Sequence, residues 1–263
     1  MRRLEGPPGE PPVITEHAVT AYDGGVVVRD VGFDDVRAHL VEPPGAGPHA
    51  AALYLHWFEP RNPTSSRAEF LDEAVTLARR GLVSLLPDLS FPWRIDPVGD
   101  ERDLDNVVAQ TAALRRCLDL LAGRPDVTGR LAVIGHDYGG MYGLLLAATD
   151  RQRVGAVVAM NVDATFGNWF ARFFLELGGP ETVRYEALLE PVDPIRFVDQ
   201  RSAPVLFQFA EPDFYVPDST RRALVSRAAA PKECRLYAGA GHELDDAARA
   251  DRTGWLAERL GLA

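Results

Sequence analysis

From residue 50 onward the chain repeats one pattern, a short apolar run followed by a longer stretch with apolar residues at helical spacing. Residues 51–55 form the first such run. Phe70, Leu71, Ala74, Val75, Leu77 and Ala78 then recur at helical spacing, with Ser65 and Ser66 as expected caps, Glu69 in the first turn and Gly81 as the stop. Residues 82–86 read as a buried strand. Leu104, Val107, Val108, Thr111, Leu114, Leu118 and Leu121 trace one face of a long helix. Strands at 131–134, 154–160, 205–209 and 234–237 follow, with helices at 141–148 and 244–260. Such alternation predicts an α/β fold: a mostly parallel central sheet with helices on both faces and its site at the C-terminal strand ends.

Two segments fall outside this rhythm. Residues 13–41 hold three clusters of β-formers separated by turn pairs such as Asp23-Gly24, and read as antiparallel strands at one edge of the sheet. Residues 164–203 are helical and aromatic-rich, with Phe166, Trp169, Phe170, Phe173, Phe174, Tyr185 and Phe197. They are too few for a domain and fit a small helical lid over the strand ends. The Pro- and Gly-rich residues 1–12 read as a loose arm. The whole, 1–263, is expected to be one domain.

Charge narrows the partners. Lys and Arg total 28 against 38 Asp and Glu, a net charge of −10. That argues against a nucleic-acid partner, which would need a basic face, and against docking on an anionic membrane surface. The start of the chain lacks the apolar stretch of a signal peptide, and no run is long enough to span a membrane, so a cytoplasmic protein acting on a small-molecule substrate is expected. A homodimer stays open as an assembly. The six histidines have no metal-ligand spacing, and neither metal nor cofactor is expected. Cys117 and Cys234 are expected as buried free thiols.

The chemistry concentrates in Gly135-His136-Asp137-Tyr138-Gly139-Gly140, which follows a buried strand and opens a helix. A sharp strand-to-helix bend of the form G-x-nucleophile-x-G needs glycines where the backbone closes on itself. On this motif the chain resembles the α/β-hydrolase superfamily over roughly residues 25–263. The body, especially RAEFLDEAVTLARRGLVSLLPD, is similar to dienelactone-hydrolase-like members. The elbow GHDYGG resembles epoxide hydrolases and haloalkane dehalogenases, which carry aspartate there.

The resemblance implies an α/β-hydrolase fold and a nucleophile–acid–histidine triad in that chain order. Asp137 falls at the nucleophile, Asp213 at the acid and His242 at the histidine, with Asp163 in reserve for the acid. The oxyanion hole would use the amide of Tyr138 and one from the loop at 56–60, Trp57 or Phe58. His56, Trp93, Trp169 and Tyr185 are candidate substrate-binding residues, Tyr185 as a proton donor from the lid. His136 is expected to be buried and merely hydrogen-bonded.

An aspartate is already ionised at neutral pH, so it can attack an sp³ carbon and leave an alkyl ester that His242-activated water cleaves. The main expectation is therefore an aspartate-nucleophile hydrolase of small apolar electrophiles, epoxides before alkyl halides. Two alternatives stand beside it. One is a dienelactone-hydrolase-like ester or lactone hydrolase with Asp137 as general base, the other a non-catalytic ligand-binding member of the fold.

Overall fold

The structure is a computed structural model that describes residue 4 and residues 6–262. Its strands are β1 (Thr15–Ala21), β2 (Val27–Phe33), β3 (Val36–Glu42), β4 (Ala50–Leu55), β5 (Leu82–Pro87), β6 (Leu131–His136), β7 (Val154–Met160), β8 (Val205–Glu211) and β9 (Lys232–Ala238). The α-helices are α1 (Leu71–Ala78), α2 (Glu101–Ala122), α3 (Tyr138–Thr149), α4 (Phe166–Phe173), α5 (Gly179–Leu189), α6 (Asp218–Arg227) and α7 (Asp246–Leu260).

The strands form one sheet in the order β1-β2-β3-β5-β4-β6-β7-β8-β9. The first three pair antiparallel, and β3 joins β5 antiparallel, as the N-terminal β-formers suggest. From β5 to β9 every pairing is parallel. Both faces are covered, so the central strands are apolar throughout. On β6, Leu131 and Val133 enter the core that includes Val107 and Leu114 of α2 and Met141 of α3, while Ala132 and Ile134 enter the core under α1 and α7. This is the α/β-hydrolase architecture expected from the sequence.

The chain leaves β4 through α1 to reach β5 on one side, then crosses through α2 to β6 on the other. The loops after β4 and β6 therefore part in opposite directions and open a crevice at the strand ends. The helices of 164–203 sit between β7 and β8 in the chain, and α4 supplies Trp169 and Phe173 to the wall above that crevice.

Three local expectations change. Helix α1 begins at Leu71, without a side-chain cap from Ser65 or Ser66. The reason is competition: Ser65 Oγ donates to the carbonyl of Trp57 and accepts from the amide of Glu59, so it holds the β4 loop instead. Cys117 is buried, but Cys234 is exposed, because β9 is the edge strand and turns that face outward. Residues 1–3 and 5 of the arm lie outside the described residues. Residues 6–14 have no regular secondary structure, yet Arg115 holds the carbonyls of Leu4 and Gly6, Arg116 that of Glu10, and Asp119 the amide of Gly9.

Candidate active site

The bend between β6 and α3 presents Asp137 in a backbone conformation, φ 57° and ψ −126°, that an L-residue enters only under constraint. The glycines make the bend possible. A Cβ on Gly135 would stand 2.4 Å from the carbonyl oxygen of Gly139, and one on Gly139 would stand 2.3 Å from that of Leu55. The second contact matters for function, since it lets the elbow press against the end of β4 and bring the two loops together.

The Asp137 side chain is buried, and its Oδ2 accepts the amide of Phe58 at 2.8 Å. The amide of Tyr138, in the first turn of α3, also favours the ionised form of this carboxyl. Burial pushes the Asp137 carboxyl up to about 8. The nearby His242 and the two amides pull the other way without cancelling that effect.

His242 lies in the loop between β9 and α7. Its Nδ1 is 2.7 Å from Oδ2 of Asp213, whose Oδ1 accepts the amides of Tyr215 and Val216. Burial works against the Asp213 charge, but the bond from His242 and those two amides outweigh it and hold the carboxyl below its ordinary value. An ionised Asp213 accepts the hydrogen bond from Nδ1–H, which leaves Nε2 to exchange a proton on the cavity side. His242 and Asp137 line the same cavity, of about 410 Å³. Asp213 and His242 thus bond one another, and His242 shares its cavity with Asp137. Asp163 does not take part: its carboxyl is buried and accepts the amide of Thr165.

Of the two candidate amides in the β4 loop, that of Phe58 is the one directed at Asp137. The amide of Trp57, the other candidate, is taken by Oε2 of Glu69 at 2.7 Å, and its indole N–H by Thr64. Three of the four candidate substrate-binding residues make other bonds. His56 supports the loop, donating from Nδ1 to the Trp57 carbonyl and accepting the amide of Leu89 on Nε2. The Trp93 indole donates to that same carbonyl. Both border a neighbouring cleft behind Phe58 and do not line the cavity of Asp137. Tyr185 is buried with its hydroxyl on Asp103 at 2.6 Å, away from the site, because the Asp103 carboxylate inside the fold needs a donor. Trp169 does line the cavity.

Two residues that sequence reasoning missed complete the surroundings. Glu69 Oε1 lies 2.7 Å from Nδ1 of His136, whose Nε2 bonds the carbonyl of His242 at 2.8 Å. Asn161, after β7, donates to the same carbonyl at 2.6 Å. Glu69 read as an ordinary first-turn residue, and nothing at its position signals a partner 67 residues away.

The cavity is walled by Trp57, Phe58, Tyr138, Trp169, Phe173, Phe174 and Tyr215, with Glu59, Arg61 and Asp96 as its charged members beside Asp137. Among the described residues, no group of three or more His, Cys, Asp or Glu is placed to hold a metal ion. No described helix is long and apolar enough to cross a membrane.

Residues 66–253 match the family described as "Dienelactone hydrolase family". A protein of Bradyrhizobium sp., "Probable 2-oxo-3-(5-oxofuran-2-ylidene)propanoate lactonase", is 28% identical over 186 residues. That alignment spans 65% of this chain and 65% of the relative, just under two thirds of its length. Among solved structures, the acetyl xylan esterase from Paenibacillus sp. R4 superposes with a TM-score of 0.73 at 22% identity, covering 95% of this chain and 89% of that one. A putative dienelactone hydrolase from Klebsiella pneumoniae subsp. pneumoniae MGH 78578 gives 0.62 at 20% identity, covering 95% and 98%. At these identities the superpositions establish the α/β-hydrolase fold.

Proposed function

The chain belongs to the dienelactone hydrolase family and is a hydrolase, and we propose that it cleaves uncharged, planar esters or lactones with Asp137 as general base on water. The observation that carries this reading is a carboxyl on the nucleophile elbow, tuned to about 8, in one cavity with an Asp213-anchored His242. A base whose pKa lies near the working pH suits proton transfer better than an ordinary carboxylate does.

In this mechanism the ester carbonyl oxygen takes the place of Asp137 Oδ2 between the amides of Phe58 and Tyr138. The freed Asp137 carboxylate removes a proton from water as the water oxygen attacks the carbonyl carbon. The two amides stabilise the oxyanion that forms. Nε2 of His242 takes that proton from Asp137, and the imidazolium so formed, steadied by Asp213, gives it to the leaving oxygen as the C–O bond breaks, which restores the starting state.

The wall sets the substrate class. Flat aromatic faces suit a planar acyl or alkoxy group. Charge disfavours an anion: Glu59 and Asp96 stand against Arg61, and ionised Asp137 adds a further negative charge. The substrate named for the Bradyrhizobium relative is a propanoate, so the two proteins would differ in this respect.

A specific contact favours a second reading. The hole already grips Asp137's own carboxyl, as it would if that carboxyl were the group attacked by water. That fits Asp137 as a nucleophile toward an epoxide, forming an alkyl ester whose hydrolysis passes through an oxyanion on Asp137. The test is a panel of aryl esters, neutral lactones, carboxylate-bearing lactones and epoxides, run with the parent protein and Asp137→Asn. Turnover of neutral esters or lactones that the variant lacks supports the first reading. Turnover of epoxides alone supports the second.

A further inference from the structure

We infer that Glu69 and His136 form a positioning pair that holds the oxyanion-hole loop and the catalytic histidine in register, with the proton they share resident on Glu69. The inference rests on the reading of Asp137, His242 and the Phe58 amide as the working groups of the site.

Connectivity comes first. One carboxyl reaches three separate parts of the machinery. Oε2 of Glu69 takes the amide of Trp57, the residue before the hole donor Phe58. Oε1 meets Nδ1 of His136, the residue before Asp137 in the elbow. Through the ring, Nε2 of His136 reaches the backbone carbonyl of His242. A shift of Glu69 would therefore move the hole and the base relative to one another. The Trp57 indole stacks on the His136 ring at 5.3 Å between centroids and 6° between planes, which keeps that ring from turning.

Hydrogen-bond parity places the protons. A carbonyl oxygen can only accept, so Nε2 of His136 carries a hydrogen. The His242 carbonyl takes this donor and the Asn161 amide, which fills both its lone pairs. Asn161 is itself fixed, since its Oδ1 accepts the amide of Ala210. On the other side, Oε1 and Nδ1 are 2.7 Å apart, and two acceptors do not approach so closely without a proton between them. The pair thus holds one shared proton and carries no net charge. It is either a carboxylic acid beside an imidazole or a carboxylate beside an imidazolium.

The surroundings select the first form. His136 is buried, and Glu69 lies beneath the β4 loop. Burial disfavours both charges, taking the imidazole down to about 4 and the carboxyl well above its usual range. Asp137 follows His136 in the chain, and a neutral pair adds no charge beside its carboxyl.

The assignment makes an unusual demand on substitution. In Glu69→Gln the amide N–H donates to Nδ1 and the amide oxygen accepts from Trp57, so every bond survives. In Glu69→Ala both are lost. Parent, Gln and Ala proteins labelled with ¹⁵N-histidine are compared by NMR from pH 5 to 9 and assayed on a neutral aryl ester. We expect His136 to be neutral with its proton on Nε2 across that range in parent and Gln proteins. We expect Gln to keep kcat within about threefold, and Ala to lose about 100-fold in kcat with KM nearly unchanged. An imidazolium signal from His136, a Gln variant as impaired as Ala, or an Ala variant with full kcat would overturn the inference. If the Ala protein does not fold, the Gln variant and the NMR signal still decide. Because the ring signal is read without substrate, an inactive parent protein would count against the proposed function and leave this inference to the spectrum.

Discussion

The amide of Phe58 donates to Oδ2 of Asp137 at 2.8 Å, so the amide proposed to meet a developing oxyanion holds the elbow's own carboxyl. Glu69 makes this contact possible by taking the preceding amide, that of Trp57. Held there, the carboxyl is desolvated and reluctant to ionise.

That reluctance has a kinetic consequence. Hydrolysis by a carboxylate base requires Asp137 to be ionised, and its carboxyl titrates near 8. For a neutral ester, kcat/KM should climb through pH 7–9 with an apparent midpoint near 8, where an ordinary aspartate would have finished titrating by about pH 5. A pH–rate profile checks this. A flat profile from pH 6 to 9 contradicts it.

The same shift predicts a trade between stability and activity. A carboxyl that titrates near 8 in the folded protein, against an ordinary 3.8, binds its proton more tightly when folded. The stability linked to that proton is full below about pH 4 and is lost as pH rises through 8. Asp137→Asn stays neutral, so its thermal advantage over the parent should widen from pH 5 to pH 9, reaching on the order of 3–5 kcal/mol. Activity should fall by about 10³-fold or more. Melting curves at the two pH values give the sign directly.

Asp213 sets the tautomer of His242 through the 2.7 Å contact to Nδ1. Asp213→Asn can present an N–H to that nitrogen and so drive the ring proton to the wrong side. We expect kcat to fall by about 10³–10⁴-fold with the protein still folded. Asp163→Asn should leave the His242 tautomer unchanged, because the Asp163 carboxyl is engaged at the start of α4.

Tyr185→Phe separates a catalytic from a structural hydroxyl. With its O–H on Asp103, the substitution should leave kcat and KM within about twofold and cost on the order of 1–2 kcal/mol of stability. Chemical denaturation alongside kinetics measures both. A large loss of kcat at unchanged stability would return Tyr185 to the reaction.

The fold and the place of the elbow were legible because their signals are local. Apolar periodicity marks β4 to β8, and the glycines of GHDYGG mark a bend that few other folds require. The pairing of Asp213 with His242 followed from the family resemblance, which left Asp163 in reserve. What escaped was set by distant contacts. Whether Trp57 or Phe58 turns its amide to Asp137 depends on Glu69, which captures one of the two amides from outside the loop. The aromatic lid residues could be placed over the site, yet Tyr185 turns to Asp103 on α2, and neither position carries a mark of the other.

The role of Asp137 is tested most directly by hydrolysing a neutral ester or lactone under single-turnover conditions in H₂¹⁸O. The peptide containing Asp137 and the acid product are then weighed. General-base catalysis places the heavy oxygen in the product acid and leaves the Asp137 peptide at its ordinary mass. Heavy oxygen in the Asp137 carboxyl would contradict that account and show that water attacks the aspartate itself.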